Sequence, residues 1–349
     1  MKRIGYLYPK VYDMDNLRLA DRKAMRCKTK SYGVRKHLQH QEEDLQLLHE
    51  MLKNKTYKTS KYDIYTIHEK KEREIYRLPY YPDRIVHHAI MNVLEPIWLS
   101  IFPYNTYSCI KGRGIMGCSR RNDKIIRKFR GRALYCLKID ITKFYPSINH
   151  EVMKTLVRKK IKDKDLLWLI DEIIDSADGL PIGNYLSQYL ANLTLAYMMH
   201  YVNEVLRVEV VEYADDIVFF ADNKDTLHNA FNDVREHVEK ELHLRIKGNY
   251  QIFPIAQNRY DKHGRALDYV GYKFFRNQKL IRKSIKQNLC RKVASLPDDI
   301  DYKSYKMVIS PWLGWVKHSN GLNLIKTITK NKQYYDLLRQ ETLRDLYGA

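Results

Sequence analysis

The stretch VEYADDIVFF (residues 211–220) sets two adjacent carboxylates, Asp215 and Asp216, among residues that belong in the middle of a β-sheet. Val, Ile, Tyr and Phe favour a pleated, half-buried surface from which Asp is largely excluded. The expected form is an apolar hairpin with the acids at its tip. Adjacent carboxylates repel each other, so this tip needs a cation, a partner or open water. An ordinary exposed turn would accommodate the same three residues, Ala214 to Asp216, because Asp is a favoured turn former. The rest of the chain has to decide.

Outward from the hairpin, strand and helix patterns alternate. LYCLKID (134–140) reads as a buried strand, and NHEVMKTLVRKKI (149–161) as a helix with Asn149 at its N-cap. GLPIGNYLSQ (179–188) reads as a loop entering a long helix over 185–206. After the hairpin come an amphipathic helix at 223–242 with Asn223 near its cap, then short strands at 244–255 and 268–282. This order of strand, helices, strand, strand, helix, strand is the split βαβ, ferredoxin-like arrangement of an α+β fold. Upstream, residues 1 to about 60 read as helical and basic. Two short strands follow, joined by a charged tip at 69–72, then Pro82 and a helix from near Asp83. Residues 105–121 read as a Gly- and Arg-rich connection without periodicity, and the tail from 286 as a small basic helical bundle.

Composition narrows the classes. At 349 residues the chain exceeds a typical single domain, and its 44% hydrophobic content supports a packed core. No stretch approaches the roughly 20 apolar residues that span a bilayer, and the basic N-terminus lacks the apolar block of a signal peptide. A cytoplasmic protein without a membrane partner is expected. The five cysteines, Cys27, Cys109, Cys118, Cys136 and Cys290, form no Cys-x-x-Cys pair, so free thiols and no zinc site are expected. Sixty-two Lys and Arg against 41 Asp and Glu give +21, interleaved with 28 tyrosines. Such a balance suits phosphate backbones and stacked bases, with nucleic acid as the leading partner.

A third carboxylate joins the pair. KIDITKFYPSI (138–148) places Asp140 at the end of a strand that neighbours the central hairpin in a split βαβ sheet. Three converging carboxylates are unfavourable without a cation, which is the character of a divalent-metal site. Two Mg²⁺ ions, with Mn²⁺ as a substitute, would there activate a 3′-hydroxyl and stabilise a leaving pyrophosphate. Taken alone, Asp140 could equally be a turn- or helix-initiating aspartate.

KIDITKFYPSI, GLPIGNYLSQYLANL, EYADDIVFF and DYVGYKFF, in this order and spacing, resemble the reverse transcriptases. The resemblance runs from about residue 60 to 320. It implies a right-hand polymerase: an N-terminal extension and fingers over 1–133, a palm over 134–285 with a fingers insertion near 150–180, and a small helical thumb over 286–349. It further implies metal binding and catalysis by Asp140, Asp215 and Asp216, aided by the carbonyl of Ile141. Tyr145 stands where the family holds an aromatic steric gate that excludes a ribose 2′-hydroxyl. In EKKEREIYR (69–77), Arg73 and then Lys71 are the candidates for the incoming triphosphate, since guanidinium contacts phosphate bidentately. Ile182, Gly183, Gln188 and Lys247 complete the expected nucleotide site. Tyr269 and Gly271 of DYVGYKFF, with Trp312, Trp315 and Lys317 of SPWLGWVKHSNG (310–321), are the expected primer–template contacts. Some have a plainer reading: core packing for Tyr145 and the tryptophans, a solvated tip for Arg73 and Lys71, and a neutral packing change for Ile182.

Most of that family carries Gln-Gly followed by Ser-Pro where this chain has Ile182-Gly183 and Ser187-Gln188. The departure, with PDRIVHHAI (82–90) and WLGWVKHSN (312–320), resembles the enzymes of diversity-generating retroelements. That resemblance implies error-prone copying of a template-repeat RNA from dNTPs, a small basic accessory protein, and a bacterial or phage origin. Retron and anti-phage defence enzymes share the catalytic motifs and stay open as alternatives. So does a non-catalytic RNA-binding protein on a polymerase fold; an RNA-copying viral RNA polymerase is disfavoured by Tyr145.

Overall fold

The computed structural model describes residues 2–68, 72–329 and 331–347. A two-stranded hairpin, β1 (Asp63–His68) and β2 (Glu72–Arg77), stands apart from a four-stranded sheet of β3 (Tyr135–Asp140), β4 (Glu209–Tyr213), β5 (Asp216–Ala221) and β6 (Gln251–Pro254). The larger sheet is antiparallel throughout, in the order β4-β5-β3-β6. That is the split βαβ order. A third sheet holds β7 (Leu267–Tyr269), β8 (Tyr272–Phe274) and β9 (Lys279–Ile281).

The central strands read as apolar runs because both their faces are covered. Ile217 and Phe219 of β5 pack with Leu137 and Ile139 of β3 against the helices Tyr185–Tyr201 and Lys224–Lys240. Val218 and Phe220 point the other way, into a core with Cys118, Ile125, Tyr269 and Phe274. Each fully buried Phe contributes roughly 1.5–3 kcal/mol. Side-chain caps fix the helix starts: Asn149 accepts from the Val152 amide at 3.1 Å and Asn223 from the Thr226 amide at 2.8 Å.

The N-terminal helices Met14–Met25 and Gln41–Lys53 join Ile85–Leu99 in the larger core. Between β3 and the loop at 179–184 lie two helices, His150–Arg158 and Lys164–Ile174. Asp163 caps the second and also accepts from the Leu7 and Tyr8 amides, tying the N-terminus to this pair. The C-terminal helices Lys283–Ala294, Tyr302–Lys317, Leu322–Ile328 and Lys332–Tyr347 enclose a core of their own around Leu289, Ile309, Val316 and Leu338. All five cysteines are free. No helix among the described residues is long and apolar enough to cross a membrane.

Three local readings need correction. Residues 114–128 form a helix rather than an irregular connection. Its glycines and arginines hide the apolar stripe, but Cys118, Ile125 and Ile126 are buried against the sheet, and Gly117 leaves room for the Tyr107 ring. The strand expected over 244–255 is confined to Gln251–Pro254, whereas the short strands expected over 268–282 are present as β7 to β9. The long helix ends its regular turns at Tyr201 and closes through a wider turn, Val202–Leu206.

A further segment meets each edge of the central sheet. Beside β4, Thr106 bridges Glu212; the Tyr107 amide donates to the Glu212 carbonyl, and the Glu212 amide to the Asn105 carbonyl, both at 3.0 Å. Beyond β6, the Arg265 amide donates to the Pro254 carbonyl at 3.1 Å.

Candidate active site

Register assembles the acids. β3 and β5 pair Asp140 with Asp216, and β4–β5 pairs Tyr213 with Asp216, leaving Ala214-Asp215 as a two-residue turn. Ala214 adopts φ +55°, a left-handed conformation that costs an alanine roughly 1–2 kcal/mol. The tight turn sets Asp215 at the apex, against the end of β3. Burial raises the Asp215 carboxyl above its ordinary value, and the neighbouring Asp140 and Asp216 add to the rise; Lys247 opposes them. Like charges are thus gathered at one corner and only partly compensated.

Two lysines attend the flanking acids. Residues 245–247 pair with 140–142: the Thr142 amide donates to Arg245 at 2.8 Å and the Lys247 amide to Asp140 at 2.9 Å. This puts the Lys247 ammonium 2.6 Å from Asp140. On β3 itself, Lys138 lies 3.3 Å from Asp216 and donates to the Asp268 carbonyl at 3.2 Å. Lys138 was not among the expected residues. Its signal was a lone charge within an apolar strand, which requires a partner. The bridge of Ile141 with Ile246 uses the Asp140 carbonyl and the Thr142 amide, so it leaves the Ile141 carbonyl to other uses.

Hard oxygen donors of this kind fit Mg²⁺ in number and type. Among the described residues no three such side chains already stand at ligating distance. The acids are adjacent, but Asp140 and Asp216 are turned to Lys247 and Lys138.

The nucleotide-side residues converge unevenly. Burial pushes the Tyr145 hydroxyl well up, with Cys109, Asp215 and Tyr213 adding and Arg73 opposing, so Tyr145 lies within electrostatic reach of both Asp215 and Arg73. The Tyr76 amide of β2 donates to the Ile182 carbonyl at 2.8 Å, fastening the hairpin to the loop before the long helix. Gly183 has φ +127°, and a Cβ there would meet the Tyr76 carbonyl oxygen at 2.5 Å. Gln188 is exposed one turn into that helix. Lys71 lies outside the described residues.

The expected primer contacts divide. Tyr269 and Gly271 are buried and present no surface to a strand. Tyr269 instead donates to the Asp216 carbonyl at 2.8 Å, bracing the acidic strand from beneath. Gly271, φ +84°, makes way for Trp315, whose ring a Cβ would meet at 2.3 Å. Trp315 packs on Tyr272 with ring centroids 5.1 Å apart, and Trp312 is half-buried on the C-terminal core. Aromatics spaced along short strands and a helix here make core. Lys317 faces a separate groove with His318.

A further acid sits beside the corner. Glu212 is fully buried, accepts from Thr106 Oγ1 at 2.8 Å, and its other oxygen has no partner. Burial pushes its carboxyl up to about 8 from an ordinary 4.5, against the pull of Thr106 and Arg113. The unfolded acid ionises first, so unfolding between these values releases a proton. Stability should therefore fall as pH rises through this window, by up to about 1.4 kcal/mol per pH unit. Melting temperatures across the window should show that slope in the wild type and a flatter profile in Glu212→Gln.

Comparison with known proteins agrees with this architecture. Protein YkfC of Escherichia coli (strain K12) is 25% identical over 141 residues, 36% of each chain. Apo telomerase of Candida tropicalis superposes with a TM-score of 0.52 at 11% identity, over 83% of this chain and 58% of that one. Telomerase of Candida albicans, in complex with a TWJ fragment of telomeric RNA, gives 0.51 at 9%, over 82% and 67%. These two share the fold. The chain thus spans about a third of YkfC and between half and two thirds of the telomerases. The family model for reverse transcriptase (RNA-dependent DNA polymerase) matches residues 30–249, well over half of the chain and the whole acidic corner. The chain therefore belongs to the reverse transcriptase family.

Proposed function

We propose that this protein copies RNA into DNA by nucleotidyl transfer at Asp140, Asp215 and Asp216, and that it does so inaccurately, as part of a diversity-generating retroelement. The observation that carries the polymerase reading is the pairing of Asp140 with Asp216 beside the Asp215 turn. In this reading the β1–β2 hairpin and N-terminal helices are fingers, the four-stranded sheet is palm, and the helices from Lys283 are thumb.

Asp140, Asp215 and Asp216, with the Ile141 carbonyl, would hold two Mg²⁺ ions, or Mn²⁺ in their place. Bound metal supplies activation of the primer 3′-hydroxyl and neutralisation of the leaving pyrophosphate. Lys247 and Lys138 keep Asp140 and Asp216 compensated between turnovers, and Lys247 would turn from Asp140 to the incoming triphosphate. Arg73 clamps the phosphates from the hairpin side. The Ile182-Gly183 loop, pinned to Tyr76, flanks the nascent pair. The Tyr145 ring closes the floor beneath the sugar, so Tyr145→Ala should admit ribonucleotides, raising rNTP incorporation relative to dNTP by about tenfold or more in single-nucleotide extension.

Reduced accuracy is argued from Ile182. A Gln there can hydrogen-bond the nucleotide; Ile offers apolar contact alone. Loss of such a bond is worth about 0.5–1.5 kcal/mol, or up to roughly tenfold in selectivity. Primer extension on a defined RNA with Mg²⁺ and four dNTPs, sequenced product by product, tests both parts. Errors piled up opposite adenines, reduced by Ile182→Gln, support the retroelement reading with its template-repeat RNA and basic accessory protein. Accurate synthesis moves the enzyme toward retron or defence systems. No synthesis, even with cognate RNA and partner protein, returns it to RNA binding without catalysis.

A further inference from the structure

A basic groove of about 1060 Å³ lies between the helix Gly114–Lys128, the β8–β9 turn and the end of the helix Tyr302–Lys317, and shares no lining residue with the acidic corner. Arg120, Arg127 and Arg130 line it, all three exposed, from that helix and the turn that follows it. No carboxylate pairs with their side chains among the described residues. Opposite them stand Lys279, Lys317 and His318. The His318 imidazole is held below its ordinary range, first by burial and then by the crowding of Lys279, Lys317 and Arg120. Asp123 is the single carboxylate in the described lining, and it is engaged by Lys279 at 2.5 Å. The amides Asn277, Gln278, Asn320 and Asn323 make up most of the remaining rim, with Arg276 and Ser319; of the three apolar residues in the lining, Ile126 and Phe275 are buried and Leu322 is half-buried.

This lining selects among partners. A protein interface needs an apolar or aromatic centre from which charge is largely excluded. Here the apolar side chains Ile126 and Phe275 are buried, and the exposed wall is dominated by cations and amides, as it is where nucleic-acid backbone is bound. Arg120 and Arg127 are separated by about 10 Å along a helix axis, which suits successive contacts on a strand rather than one small anion. The same wall explains why Lys317 and His318, in the sequence motif expected to follow the primer duplex, face away from the acids.

We infer that this groove is a second nucleic-acid site, outside the catalytic cleft, that holds the phosphodiester backbone of a folded RNA through Arg120, Arg127, Arg130 and the Lys317-His318 wall. It anchors RNA that is not being copied. The choice of RNA over DNA rests on the polymerase reading; the backbone site itself does not.

The test uses the full chain, an Arg120→Ala/Arg127→Ala/Arg130→Ala variant and the matching Lys triple. Binding of a fluorescein-labelled RNA hairpin with single-stranded flanks is followed by anisotropy across a salt series. Extension of a short primer–template without flanking structure is measured alongside. The Ala triple should bind the hairpin at least about tenfold more weakly, with a salt slope shallower by about 3, one unit per lost phosphate contact. The Lys triple should restore most of both, and short-template extension should stay unchanged in either variant. Unaltered affinity and slope in the Ala triple would overturn the inference. Equal loss of short-template extension would overturn it too, by assigning the groove to the cleft. Capture of polyglutamate with RNA binding intact would give the groove to an acidic protein instead. Should the wild type make no DNA while the Ala triple still loses hairpin binding, the site stands and the polymerase reading fails.

Discussion

Replacing Asp215 with Asn is expected to lower primer extension by on the order of a thousandfold, while RNA binding without divalent metal stays level or tightens. Removing one group that stabilises transition-state charge costs about 10²–10³, and the loss of a metal-holding carboxylate belongs at the upper end. Binding moves the other way because the Asp215 carboxyl is raised by burial and by its neighbours Asp140 and Asp216. Asparagine keeps the shape of the Ala214-Asp215 turn and removes the repulsion. A fall in extension accompanied by an equal fall in RNA affinity would instead mean a damaged fold. Extension and anisotropy on one preparation separate the two.

The second large effect is expected at Gly183. Gly183→Ala forces a Cβ to within 2.5 Å of the Tyr76 carbonyl oxygen at φ +127°, a backbone region that is essentially glycine's own. Strain of roughly 1–3 kcal/mol will be relieved where the structure is softest. That is the β1–β2 hairpin, whose first strand is exposed along its whole length and whose second is mostly so. The hairpin should shift and carry Arg73 away from Tyr145. The Michaelis constant for dNTP should then rise by about tenfold or more, while the melting temperature changes little. A large loss of melting temperature with unchanged nucleotide affinity would contradict this account. Gly183→Ser should behave as Ala does, since the obstacle is the Cβ itself.

The acidic corner was legible because it rests on short-range regularities. An apolar run broken by two acids, and a second run ending in one, translate directly into neighbouring strands whose register brings the acids together. The caps at Asn149 and Asn223 were legible for the same reason. The helix Gly114–Lys128 was not, because its stability comes from a sheet built by residues far along the chain. Tyr269 shows the limit of motif transfer: DYVGYKFF marks the right hairpin, but only the packed structure shows its tyrosine turned inward onto the Asp216 carbonyl. Lys138 and Glu212 were legible in principle, each a charge in an apolar strand. Their partners, Asp216 for one and Thr106 for the other, could not be named without the fold.

The segments that meet the two margins of the central sheet bear on how the protein survives at high concentration. A row of unpaired amides and carbonyls invites a strand from another molecule, and edge strands are where folded proteins begin to aggregate. Here the Asn105–Tyr107 segment fills that role beside β4. Past β6, Pro254 offers no donor and its carbonyl is taken by Arg265. Recruitment of a neighbouring strand is therefore hindered at both margins, and the platform that carries the acids resists self-templating. Loosening the 105–107 strap should show first as a solubility defect, before any change in the chemistry.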